Sequence, residues 1–159
     1  MNEKERTRGI LGSKAKIFLG IMLLVIGCLI YLLFRSKTLY IYVWCKSLGV
    51  SSPLDTLRII VNDWPVPSFI KYSLPDGLYC TAYLLIMDAI WHEDKSLLKY
   101  LILAVIPVIT IDSEILQYFG YVRGTFDIVD IICYLVPPLI YVICLRPMVL
   151  FKKLNKNES

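Results

Sequence analysis

Residues 17–34 read IFLGIMLLVIGCLIYLLF. The run holds no charged residue, and its length is close to the ~20 residues that carry an α-helix across a hydrocarbon core. Lipid offers no water to unpaired amides, so such a segment must be helical to enter it. A cleaved leader has a shorter apolar run, ~7–15 residues, and a small-x-small cleavage site after it. Here FRSKTLYIY follows (34–42), so the segment reads as an uncleaved anchor.

Working outward, the rest of the chain has the same character. Of 159 residues, 57% are hydrophobic and 19% charged, and the mean hydropathy is +0.65. A soluble domain of this size carries roughly 25% charge. Three further apolar runs occur: 74–91, interrupted by Asp76 and Asp88; 97–119, with Asp112 and Glu114 near its end; and 128–150, with Asp130 near its start. The expected fold is an all-α integral membrane bundle of four transmembrane helices. It forms a single transmembrane domain with spans at 17–34, 74–91, 97–119 and 128–150, an outer loop at 35–73, and tails at 1–16 and 151–159.

Charge orients the bundle. Lys4, Arg6, Arg8, Lys14 and Lys16 precede the first span; Arg146, Lys152, Lys153 and Lys156 attend the end of the last. Basic residues favour the cytoplasmic side, so both tails and the turn HEDKS (92–96) are expected inside a cell membrane. Asp88 is grouped with that turn and expected to be exposed. The net charge of +4 then reflects topology and an anionic inner leaflet, not nucleic acid. In the outer loop, SSPLDTLRIIV (51–61) reads as a short amphipathic interfacial helix. Ser52 would cap it, Pro53 would open it, and Asp55 would complete a capping box. Leu54, Leu57, Ile60 and Val61 would share its apolar face. LYIYVWC (39–45) suits the membrane interface, and NDWPVP (62–67) reads as a break.

This topology gathers the polar residues at the outer end. Asp76 heads the second span; Thr110, Ser113, Glu114 and Gln117 form an i, i+3, i+4, i+7 stripe on the third. Asp112 points elsewhere, and Pro107 is expected to kink the helix below the stripe. Arg123 lies in the following loop, and Asp127 and Asp130 open the fourth span. Each has a plainer reading. Ser73 and Asp76 would make a capping box, Asp127 an N-cap with Asp130 in the first turn, and Arg123 a solvated cation. Glu114 resists a plain reading, because an unpaired charge within the bilayer costs roughly 2–3 kcal/mol. It should face the bundle, protonated or paired with Arg123. Crowded carboxylates suit proton relay, cation binding or acid/base chemistry.

Other signatures are missing. Cys28, Cys45, Cys80, Cys133 and Cys144 form no close pair, and no HExxH, GxSxG, P-loop or dinucleotide pattern occurs. No metal, cofactor or disulfide is therefore expected, and no reaction is named. The halves do not match as inverted repeats.

SEILQYFGYVRGTFDIVDIICYLV (113–136) resembles the VanZ-like family of small bacterial membrane proteins, over about residues 74–145. The family pattern is a Glu, a Gln three residues on, an Arg in a short loop, then two acids opening the last helix. Glu114, Gln117, Arg123, Asp127 and Asp130 match in order, and Asp76 stands for an earlier family Asp. A family His finds no match in 78–81. Tyr134 and Pro137 replace a family Asn and Gly, and VPP (136–138) is expected to kink or break the last helix. The resemblance implies a cell-envelope protein and, for some members, low-level resistance to glycopeptides such as teicoplanin.

Together these readings predict an outer polar pocket that binds or modifies an amphiphile, a lipid-linked precursor or a glycopeptide-type drug. Glu114, Arg123 and Asp127 would be the reactive groups, and Asp76, Gln117 and Asp130 the binding rim. The alternatives are a subunit of a proton- or cation-coupled transporter, which at four spans would need to oligomerise, or a non-catalytic scaffold.

Overall fold

The computed structural model describes residues 12–37, 40–49, 51–94 and 96–154, with side chains at all of these except 62 and 144–154. The expected placing of the basic residues before 12 and after 154 lies outside them. The described residues are helical, with no strand: α1 (Ser13–Phe34), α2 (Tyr40–Ser47), α3 (Ser51–Asn62), α4 (Ser68–Tyr72), α5 (Leu74–Ile90), α6 (Leu97–Tyr118) and α7 (Ile128–Leu154).

Helix α5 is the hub. It packs on α1, α4, α6 and α7, and α6 and α7 pack on each other. Close approach of α1 to α5 depends on two glycines. A Cβ at Gly20 would fall 2.6 Å from Ile86 Cγ1 and 3.1 Å from the Ala82 carbonyl; one at Gly27 would meet the Tyr79 ring at 3.1 Å. Small residues let helix backbones approach in this way where the hydrophobic effect does not drive association. Between α5, α6 and α7 a small apolar core forms from Cys80, Leu84, Leu103 and Tyr134, flanked by Tyr83, Met87, Ile111 and Tyr141.

Among the described residues two helices, α1 and α6, are long and apolar enough to cross a membrane. Each has 22 residues, ~33 Å at 1.5 Å per residue. Helix α5 has 17 residues, shorter than a typical span. The apolar surface is largely outward. On α1, Phe18, Ile21, Val25 and Leu29 are all exposed, Phe18 by 68%; they recur on one face of the helix.

Several local expectations are corrected. Pro137 and Pro138 do not break α7, which runs continuously through them. They remove the amide partners of the Cys133 and Tyr134 carbonyls. Both carbonyls meet α5: the Cys80 thiol donates to Tyr134 O at 3.7 Å, and Cys133 O lies 3.3 Å from where a Cβ of Gly77 would sit. The outer segment forms three helices, α2, α3 and α4, where one was expected. Ser52 lies inside α3, and its carbonyl accepts from the Thr56 hydroxyl (3.2 Å). Asp55 is drawn to Lys37 Nζ (2.5 Å) and to the Tyr42 hydroxyl (2.7 Å), which bind a carboxylate better than a backbone amide would. Leu54 is buried, while Leu57 and Ile60 are exposed. Ser73 makes no side-chain cap; it keeps helical backbone angles between α4 and α5, and its N–H, which Asp76 would accept from in a capping box, already donates to the Phe69 carbonyl (2.9 Å).

Candidate functional site

The antiparallel run of α1, α5 and α6, with α7 parallel to α5, brings ionisable groups together in two layers. Asp76 and Asp88 are twelve residues apart on α5, or ~18 Å; Lys99 and Glu114 on α6 are ~22 Å apart.

The first layer contains most residues singled out by sequence. The inner face of α6 runs through Lys99, Leu103, Pro107 and Glu114, and the polar stripe shares it; Asp112 is exposed. Glu114 is only 4% exposed. Its Oε1 accepts from Gln117 Nε2 (3.3 Å), and its Oε2 from the backbone N–H of Asp127 (3.3 Å). Asp127 Oδ1 in turn accepts from Val129 N–H (2.9 Å), so Asp127 caps α7 and its own carboxylate is turned toward that helix. Asp130 follows in the first turn, with Oδ1 buried and without a hydrogen-bond partner among the described residues. Its charge and that of Glu114 are both felt at Asp76, whose carboxylate the Tyr134 phenol also approaches. The chain between α6 and α7 closes over Gln117. Gly124 has a positive φ (154°), and a Cβ there would overlap the Gln117 amide, at 2.3 Å from Oε1.

Arg123 does not pair with Glu114. It is exposed and makes no ion pair among the described residues. The cation of this layer is Arg35, at the end of α1. Its Nη2 lies 3.8 Å from Asp76 Oδ2 and donates to the Tyr72 carbonyl (3.0 Å). The guanidinium lies over the rings of Tyr31 (5.1 Å) and Tyr72 (5.2 Å). Beside it a cleft of about 280 Å³ is lined by Tyr31, Tyr40, Ile41, Asp76 and Tyr79.

The outer helices are pinned over this end. Arg58 of α3 donates to the Leu32 carbonyl (2.6 Å) and the Arg35 carbonyl (2.5 Å), satisfying the open end of α1. Arg58 and Lys37 both lie over the Tyr42 ring, and Tyr42 and Lys37 share Asp55. The Lys37 ammonium and then the Tyr42 hydroxyl hold the Asp55 carboxyl below its usual range, and Asp55 raises Lys37 in return.

The second layer overturns the reading of Asp88 as part of an exposed turn. His92 and Glu93 are exposed, but Asp88 is 5% exposed. It accepts from Lys16 Nζ of α1 (2.5 Å), Lys99 Nζ of α6 (2.7 Å) and the Tyr141 hydroxyl of α7 (2.6 Å). One carboxylate thus joins all four long helices. A charge removed from water needs this degree of pairing. A signal existed in the sequence: an aspartate within an apolar run needs a partner, and Lys16 and Lys99 stand at the same end of neighbouring runs. For Arg35 the signal was its place directly after the first apolar run, level with Asp76.

Among the described residues no group of three metal-binding side chains occurs, and Cys28, Cys45, Cys80 and Cys133 are free thiols. Chemically, the first layer offers carboxylates in excess of cations, a tyrosine-lined cleft and no ordered nucleophile–base pair. It is suited to binding a polar group by hydrogen bonds and charge. No protein-family model, curated protein or solved structure matches the chain.

Proposed function

We propose that this chain is a VanZ-like membrane protein of the bacterial cell envelope, whose Asp76–Glu114 layer binds the polar end of an amphiphile at the outer face. In this reading α1, α5 extended by α4, α6 and α7 are four spans with both termini inside. Helices α2 and α3 lie at the outer interface, with Tyr40 and Trp44 toward the lipid head groups. Support comes from the outward apolar faces, which are too extensive for a soluble monomer, and from the two charge layers bracketing an apolar core.

The observation that carries the functional reading is the burial of Glu114 at the same end of the bundle as Asp76 and its cleft. Binding a ligand that donates hydrogen bonds or carries positive charge would satisfy this carboxylate excess. The transporter reading is weaker, because Cys80, Leu84 and Leu103 separate the two layers with apolar packing. The scaffold reading retains one point in its favour: Glu114 already ties α6 to the start of α7 through Asp127 N–H.

The test compares wild type with Glu114→Gln in a susceptible bacterium, at matched membrane abundance, scored for teicoplanin survival. Wild type should protect, and the variant should lose protection at unchanged protein level. Full protection by the variant, or loss that tracks protein level, contradicts the binding role.

A further inference from the structure

The cleft beside Asp76 narrows the ligand class. Its walls are three tyrosines, one isoleucine and one carboxylate. Aromatic faces with a nearby carboxylate recognise organic cations, through the ring quadrupole and direct charge. The structure already displays this preference: Arg35 occupies one side of Tyr31 at 5.1 Å. Arg35 does not saturate Asp76, however. Its 3.8 Å separation exceeds the ~2.7–2.9 Å of a charge-assisted hydrogen bond, and its Nη2 is committed to the Tyr72 carbonyl. Asp130 and Glu114 are further carboxyl groups close enough to act on Asp76, and Arg35 is the one cation within ion-pair distance of the three among the described residues.

Size and position restrict the ligand further. A pocket that encloses a drug-sized molecule has roughly 300–1,000 Å³. At about 280 Å³ this one lies at the lower edge of that range, with room for a compact head group. Ile41 and the 85%-exposed Tyr40 form its lip. We infer that the cleft seats an alkylammonium head group, the cationic end of an amphiphile whose chain extends past the Tyr40 lip. This rests on the proposed function and names its ligand class.

The experiment uses the full chain in lipid nanodiscs, with binding to empty nanodiscs subtracted. Decyltrimethylammonium is the probe, and decyl sulfate and decyl maltoside are the controls. Wild type should bind the ammonium saturably at one site, with neither control displacing it. Asp76→Asn and Tyr40→Ala should each bind about tenfold more weakly. Tyr40 is so exposed that its removal leaves the fold intact, which guards against a folding artefact at Asp76. Wild-type binding no tighter than that of decyl sulfate, or wild-type affinity in both variants, overturns the inference. If wild type fails to bind while Glu114→Gln still abolishes protection, the ligand class falls and the proposed function stands. If ammonium binding is site-dependent while Glu114→Gln protects normally, the cleft stands and that function falls.

Discussion

At the scale of single residues, the decisive side chains are two buried carboxylates with different surroundings. Asp88 has three donors within 2.7 Å, from three other helices. Glu114 has two longer contacts, both at 3.3 Å, from Gln117 and the start of α7. The first is fully satisfied; the second retains acceptor capacity. Replacing Asp88 with Ala would leave Lys16 and Lys99 buried without a counter-charge, and Tyr141 without its acceptor. The expected loss is about 3–5 kcal/mol, read as a lower unfolding temperature of the detergent-solubilised protein. Adding Lys99→Met should recover part of it, and an unchanged midpoint for Asp88→Ala would contradict the tetrad. Sequence made Glu114 legible, because Thr110, Ser113 and Gln117 share its helical face. Asp88 was harder to place: an aspartate within an apolar run calls for a partner, but His92, Glu93 and Asp94 nearby resemble a solvated turn, and its partners lie 72, 53 and 11 residues away in the chain. Arg123 and Arg35 show the same limit. Chain proximity favoured Arg123, but helix packing delivers Arg35.

At the scale of elements, the long helices follow apolar periodicity, while the short ones follow tertiary partners. The stripe on α6 placed that helix and its inner face correctly. The Pro-Pro pair argued for a break in α7, yet α5 supplies Cys80 and a close glycine backbone to the carbonyls the prolines leave open. Propensity cannot foresee a neighbour of that kind. Helices α2 and α3 are held by the Lys37–Asp55–Tyr42 contact and by Arg58, none of which periodicity reveals. The Lys37–Asp55 pair gives this segment a pH window. The Asp55 carboxyl is lowered from 3.8 by Lys37 and Tyr42, so its stabilisation is present above that value and fades as pH falls through the lower folded value. Lys37 is raised from 10.5 by Asp55, so its share is present below 10.5 and fades as pH rises through the higher folded value. Limited proteolysis of the 37–62 segment should therefore be slow and flat between about pH 5 and 9, and faster in strong acid. Asp55→Asn should abolish that acid dependence; a profile unchanged by the substitution would remove the pair from the account.

At the scale of the whole molecule, two ionic layers ~20 Å apart enclose an apolar core and are themselves surrounded by outward-facing apolar side chains. In the proposed membrane setting the layers differ in kind. The Asp88 tetrad is closed and joins the helices; the Asp76–Glu114 layer is open at the tyrosine cleft and lies beneath α2, α3 and α4. Everything proposed for that cleft requires it to face outward across a four-span topology. The direct measurement is cysteine labelling in intact bacteria, with the native cysteines replaced by serine or alanine and a single cysteine introduced at Tyr121 or at His92. Both positions are exposed. A membrane-impermeant maleimide should label Tyr121→Cys in intact cells, and His92→Cys only after permeabilisation. Labelling of His92→Cys alone in intact cells, or of both positions, would contradict the proposed topology, with its inner 92–96 turn, and the outer cleft with it.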